Sequence, residues 1–339
     1  MDYKSGEIYF VRERTEDSFS SFVKIGLVHG VRDSLTRLKE HQTGNPRKLY
    51  IDEQQVVKTE AVDLVEAQMH KVFSPKRVSG EWFDFPTEQE LATAVSAAQD
   101  LAKEVGSLMP VFREAKELSS QVSDSPVIPA SEDALSLSRA IAKAQGEEDV
   151  CKTLIETIKS KMRAAIEDEK GEVKGGAEMV TKTYAPKFML DAFKTNNPEL
   201  FEKYVEMVQG WNPKFVPTAK KLKREELGRD FLEQVEEIES QINAVDSVEE
   251  AYRLIEPQLL LTKLTARSKW DLDISLAKLK VLCGKHAGIE GVCSWNRQFS
   301  DPKPVFNEKL FVEENPELYI DFLAEAKTGT YLRVAKRKA

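Results

Sequence analysis

A pattern written twice constrains this chain more than any other feature. Phe188-x4-Phe193-x3-Asn197-Pro198-Glu199-Leu200-Phe201-x2-Tyr204 recurs as Phe306-x4-Phe311-x3-Asn315-Pro316-Glu317-Leu318-Tyr319-x2-Phe322, and both Phe188 to Phe306 and Pro198 to Pro316 span 118 positions. A fixed offset of this kind marks a duplicated supersecondary unit. A helical stretch precedes each copy (149–169 and 271–286), then a short polar or Gly-bearing segment suited to a hairpin; an extended stretch follows (214–216 and 331–334). The spacing predicts two mainly helical modules, 132–220 and 221–339, of ordinary domain size, with helices across 222–266 joining the copies. The repeated rings read as core, since Phe and Tyr bury large areas and Pro in Asn-Pro-Glu-Leu suits the first turn of a helix.

Residues 1–86 follow a different pattern. Stretches 6–12 and 21–27 are rich in β-formers and flank a polar segment, which predicts an antiparallel hairpin with a long connection. Asp33 is placed to cap a helix through about His41, with Leu35 and Leu38 inward. Residues 43–46 (Thr-Gly-Asn-Pro) form a turn that stops it. A third strand is expected across 49–57. Thr59 would then cap a helix to about Phe73 with the stripe Val62, Val65, Met69, Val72 and Phe73. The expected class is α+β: a small three-stranded antiparallel sheet with flanking helices, followed by a mainly helical region containing the duplicated module. Thr87 opens a connecting helix within 87–118, and Ser- and Pro-rich 119–131 reads as a linker.

Of the 339 residues, 41% are hydrophobic, enough for more than one core. No apolar run approaches the roughly 20 residues that span a bilayer, and the opening MDYKSGE lacks the apolar centre of a signal peptide. A cytoplasmic protein without a membrane partner is therefore expected. Cys151, Cys283 and Cys293 lack metal-ligand spacing and read as reduced thiols, and four scattered histidines argue against a zinc cage. A net charge of −8 argues against coating nucleic acid by bulk charge and restricts any DNA contact to a local groove. Arg333, Lys336, Arg337 and Lys338 read as a solubilising tail. Walker A, G-x-G-x-x-G, H-E-x-x-H and G-x-S-x-G patterns are absent.

Four blocks remain: GEIYF (6–10), VKIG (23–26), TRLKEHQTGNP (36–46) and EAQMHKVFSPKRVSGEWF (66–83). In order and spacing they resemble the GIY-YIG nuclease superfamily. The likeness is to its phage-ORF and "meiotically up-regulated" branch, where KIG stands in for YIG and the domain closes on a GEWF-like segment. The resemblance covers about 6–85 and implies an endonuclease that hydrolyses DNA phosphodiester bonds with Mg2+ or Mn2+.

The spacing puts Glu66 and His70 on one helix face, and Arg37 and His41 likewise, because each pair is i,i+4. The resemblance implies that Glu66 holds the metal, Arg37 faces the phosphate, and the Tyr9 hydroxyl orients or helps deprotonate water. His41 or His70 would share proton handling. The chemistry is compatible. Magnesium needs only one or two carboxylates, and the Arg fork can bind two phosphate oxygens. Tyr9, with an ordinary pKa near 10, needs a neighbour that lowers it. His70 reads as a phosphate contact or proton carrier, because magnesium prefers oxygen.

Two departures matter. Lys24 replaces the second tyrosine, and it binds phosphate readily but acts as a base only if its pKa falls far. The final asparagine is replaced by RVSGEWF (77–83). There Arg77 reads as a phosphate contact, Glu81 as a second carboxylate or a former of the cleft, Gly80 as a tight turn, and Trp82 and Phe83 as packing. Gln42, Thr43, Gly44 and Asn45 read chiefly as a structural turn. Each site residue also has an ordinary alternative, such as a core tyrosine or a solvated helix glutamate; the surrounding blocks favour function. Two rivals stay open: a DNA-binding protein that does not cut, and a phage or mobile-element interaction protein that takes a protein partner through 131–339.

Overall fold

The computed structural model describes residues 3–14, 16, 18–30, 32–43, 45–123, 125–168, 172–173, 177–247 and 250–334. Gly44, Glu169, Lys336, Arg337 and Lys338 lie outside them. Strands β1 (Gly6–Arg14) and β2 (Phe19–His29) pair antiparallel, with Tyr9 opposite Gly26 and Val11 opposite Lys24. Both run longer than expected, which shortens the connection. Ile8, Tyr9, Phe10 and Val11 are all buried, so β1 is covered on both faces and does not alternate.

Helix α1 (Ser34–Gln42) starts where the Asp33 carboxylate accepts from the Thr36 amide at 2.6 Å. Leu38 faces the sheet, but Leu35 is 39% exposed, contrary to expectation. Ser34 and Leu38 share the inward stripe, and Leu35 lies a third of a turn away from it. The expected strand across 49–57 is two strands, β3 (Lys48–Ile51) and β4 (Val57–Thr59), split by a 3-10 turn at Glu53–Gln55. Asp52 causes the break by accepting from the Gln54 amide. Thr59 therefore ends a strand and does not cap a helix. Helix α2 (Val62–Val72) begins after Ala61 with no side-chain cap.

Strands β5 (Arg77–Ser79) and β6 (Trp82–Asp84) form a hairpin over Gly80, whose φ of +55° favours glycine. Because β6 pairs with β2, the sheet has six strands where three were expected. Its order is β3-β1-β2-β6-β5, with β4 also on β1. The α+β class stands: an N-terminal antiparallel sheet with a helical region after it. Helix α3 (Glu88–Ser119) opens on a capping box between Thr87 and Glu90. Its Leu91, Ala94, Val95 and Ala98 close the core beneath Ile8, Phe10, Ile25, Val65 and Phe83.

The stretch 119–131 leads into α4 (Glu132–Asp168) and is itself bonded, from Ser123 N to Arg297 O and from Ile128 N to Gly288 O. Then come β7 (Glu172–Val173), β8 (Ala177–Thr183), α5 (Leu190–Asn196), α6 (Pro198–Lys203), β9 (Val205–Val208), β10 (Lys214–Pro217) and α7 (Arg229–Asn243). They are followed by α8 (Ile255–Cys283), β11 (Gly288–Ile289), β12 (Cys293–Asn296), β13 (Lys303–Phe306), α9 (Glu308–Glu314), α10 (Pro316–Asp321) and β14 (Thr328–Val334).

Both long helices start earlier than expected, since their apolar period continues upstream. They run antiparallel: Ala134 and Ile141 pack near Leu279 and Cys283, while Ile158 and Met162 pack near Leu254 and Leu259. The two copies of the pattern meet in one aromatic cluster, with Phe193 and Phe311 fully buried, Phe188 stacked on Tyr319 at 4.8 Å and Phe201 stacked on Phe306 at 5.2 Å. Their strands cross over. β10 pairs with β12, β14 with β8, and β9 with β13. The first core also reaches α8: Phe112 meets Trp270 at 5.9 Å, and Trp270 Nε1 donates to Glu104 at 3.1 Å. Among the described residues no helix is long and apolar enough to cross a membrane.

Candidate active site

The site is built around Tyr9. Its ring lies across β2 at Gly26, where a β-carbon would sit 2.6 Å from the phenol oxygen, so the glycine of KIG makes room for the ring. The hydroxyl lies 3.1 Å from His41 Nε2 on α1 and also bonds Arg37. The expected net lowering of the Tyr9 pKa does not occur: burial raises it and Arg37 only opposes the rise, while Glu81 and Glu66 add to it. Burial, with Lys24 and Arg37 adding to it, pushes the His41 pKa down, so its ring is neutral near pH 7 and can accept a hydrogen bond from the phenol. Arg37 is held from the solvent side by Glu40 at 2.5 Å.

A second group gathers where the β5–β6 hairpin meets β2. Lys24 Nζ lies 3.0 Å from a Glu81 oxygen, and the Ile25 amide donates to the Glu81 carbonyl at 3.0 Å. Glu66, half-buried on α2, has its pKa pushed up to about 7 by burial and then by Glu81 and Asp63, with Lys24 opposing. A carboxyl poised there takes up a proton or a cation readily. His70 Nε2 lies 3.0 Å from the Ile25 carbonyl; burial lowers its pKa, so the neutral ring donates and ties α2 to the strand. The sequence had assigned His70 to phosphate or protons, with no sign of this bond. Arg77 gives the His70 carbonyl one bond at 3.2 Å, and its Nε is buried without a partner. Gln42 is fully used in the turn, donating to the Asn45 and Arg47 carbonyls and accepting from the Leu49 amide.

The structure thus brings Tyr9, Arg37 and His41 together, and Lys24, Glu66 and Glu81 beside them, with electrostatic contact between the two groups. His70 and Arg77 line the floor of the same region. Gly26 is the residue that sequence reasoning missed; its signal was the glycine that follows Lys24-Ile25 in the VKIG block. Among the described residues no group of three or more His, Cys, Asp or Glu is placed to hold a metal, so any cation here would rest on one or two carboxylates.

Residues 6–100 match the family model described as the T5orf172 domain, a GIY-YIG-like domain of the phage-ORF kind. The match extends past the blocks into the part of α3 that closes the first core. No curated protein and no solved structure matches the chain.

Proposed function

We propose that the domain matched at 6–100 is a metal-dependent endonuclease acting on DNA. The observation that carries this reading is the convergence of the Tyr9 phenol, the neutral His41 ring and the Arg37 guanidinium beside two carboxylates. The oxygen donors fit a hard cation: Glu66, half-buried and with raised proton affinity, and Glu81 would hold Mg2+ or Mn2+, with water and phosphate filling the shell. Bound there, the ion supplies charge stabilisation on the phosphate oxygens and the leaving group.

The side chains divide the remaining work. Tyr9 accepts a proton from the attacking water as its own proton passes to His41. Arg37 stabilises charge on the phosphate through its fork. Lys24 neutralises Glu81 in the free protein and turns to phosphate in the complex. Arg77 adds a second guanidinium contact to the backbone of the nucleic acid. His70 keeps α2, and therefore Glu66, in register with β2. In this reading residues 1–86 with α3 form the cutting unit, 119–131 connects it, and modules 132–220 and 221–339 select the substrate or a protein partner.

Nicking of a supercoiled plasmid by the wild type and Glu66→Gln, with and without Mg2+, tests the proposal. Loss of nicking in the variant or on chelation is expected; equal activity in both proteins removes Glu66 from the mechanism. The Lys24–Glu81 pair favours one rival, a domain that binds DNA without cutting. That rival predicts salt-sensitive binding and no product with any cation.

A further inference from the structure

Resting on the endonuclease reading for the nature of its ligand, we infer that the exposed face of the β10–β12 ribbon reads base edges in the major groove of duplex DNA. Register decides which side chains share that face. Lys214 pairs with Asn296 and Val216 with Ser294, and just beyond the strands the Asn212 amide bonds the Gln298 carbonyl. Partners across a ladder project to one side, so continued alternation gathers these six on one face, and all six are exposed. The opposite face holds Phe215, Trp295 and Arg297. Trp295 and Arg297 are buried, and Phe215 packs edge-on against Trp295 at 5.3 Å. One side of the ribbon is therefore core. The other offers three amides, a hydroxyl and an ammonium, with no carboxylate among them.

Charge selects the occupant. The chain carries a net −8, yet residues 210–224 hold four Lys and one Arg without an Asp or Glu, and 291–300 also lack an acidic residue. Lys221 pairs with Asp149 and Arg224 with Glu239. Lys214, Lys220 and Lys223 are exposed and, among the described residues, have no carboxylate within ion-pair distance. A basic run inside an acidic chain supplies the local contact that a phosphate backbone needs. The amides match the paired donor and acceptor on an adenine edge, Lys matches guanine, and a two-stranded ribbon fits a major groove about 12 Å wide. A protein partner would call for an apolar centre, and on this face Val216 stands alone.

The ribbon is tied to the cutting unit. Trp211 Nε1 donates to the Ser119 carbonyl at the end of α3 at 3.1 Å, and Arg297 donates to the Leu118 carbonyl at 2.8 Å and to Ser123 Oγ at 3.1 Å. Helix α3 closes the core beneath the candidate site. A sequence held on the ribbon therefore lies at a set distance from the reacting residues.

The full-length protein, in chelator so that nothing is cut, is incubated with short duplexes of randomised centre, and the bound fraction is sequenced. Affinities for the recovered and a scrambled duplex are then measured by fluorescence anisotropy against salt. The wild type should recover a preferred sequence. Asn296→Ala with Gln298→Ala should lose about tenfold or more of the preference and hold scrambled DNA as before. Lys214→Ala with Lys220→Ala and Lys223→Ala should weaken both duplexes alike and reduce the salt slope by about 3. Thermal melts that match the wild type show that the variants are folded. No recovered sequence, an unchanged preference in the amide variant, an unchanged slope in the lysine variant, or tighter binding of RNA than of duplex DNA would each overturn the inference. Plasmid nicking with Mg2+ separates the two readings. Nicking without sequence preference overturns the ribbon's role and leaves the endonuclease standing, whereas selective binding without a nick under any cation does the reverse.

Discussion

The hydroxyl of Tyr9 occupies the space above Gly26, its cross-strand partner, where a single added methyl would stand 2.6 Å from the phenol oxygen. The obstructed atoms belong to a buried aromatic ring held at its hydroxyl, so Gly26→Ala should lower stability by about 1–3 kcal/mol. Activity should fall by about 100-fold, because a displacement near 1 Å ruins the reacting geometry. Urea unfolding and plasmid nicking on the same preparation separate the two effects.

Glu66 gives the proposed reaction a pH dependence. Its carboxyl ionises near 7, so cation binding and nicking should rise with pH through that value, and Glu66→Gln should abolish the rise with the activity. Stability moves the other way. Unfolded, the group returns to about 4.3, so the folded chain holds the proton more tightly. The stabilisation is complete below the unfolded value and is lost as pH climbs to about 7. Thermal melts of wild type and Glu66→Gln from acid to neutral pH should diverge in that window, the variant losing less.

Lys24 and Glu81 pull on Glu66 in opposite directions. Glu81→Gln removes a neighbouring negative charge, so the midpoint for ionisation of Glu66 should move to lower pH. Lys24→Met removes the compensating cation and should move it higher. Carboxyl 13C chemical shifts of Glu66 read both without depending on cleavage.

Trp270 joins the N-terminal core to α8 through Phe112 and Glu104. Trp270→Ala should cost about 3–5 kcal/mol. If the two regions unfold together in the wild type, calorimetry of the variant should resolve two transitions, with the N-terminal region melting first.

The N-terminal site was readable because its residues lie in short blocks of fixed chemistry. Asp33 and Thr87 cap helices as their side chains predicted, and the long α3 followed from uninterrupted period. Thr59 misled because a Thr-Glu-Ala-Val run looks like a helix start, whereas pairing of β4 with β1 claimed its backbone first. The count of six strands was hidden because β4 was read as one with β3, and β5 and β6 are three residues each, too short to show alternation. His70 shows a further limit of spacing arguments. Its placement on the same helix face as Glu66 was legible, but its bond to the Ile25 carbonyl depends on how α2 crosses the sheet, and no local pattern encodes that.

The crossed strands of the duplicated region constrain the order in which it can fold. Val180 pairs with Tyr331 and Val216 with Ser294, so each half leaves a vacancy that only the other half fills. On the ribosome, β8 waits with one edge open until Thr328–Val334 has emerged. The region should therefore close late and all at once, with its two halves becoming native in the same step.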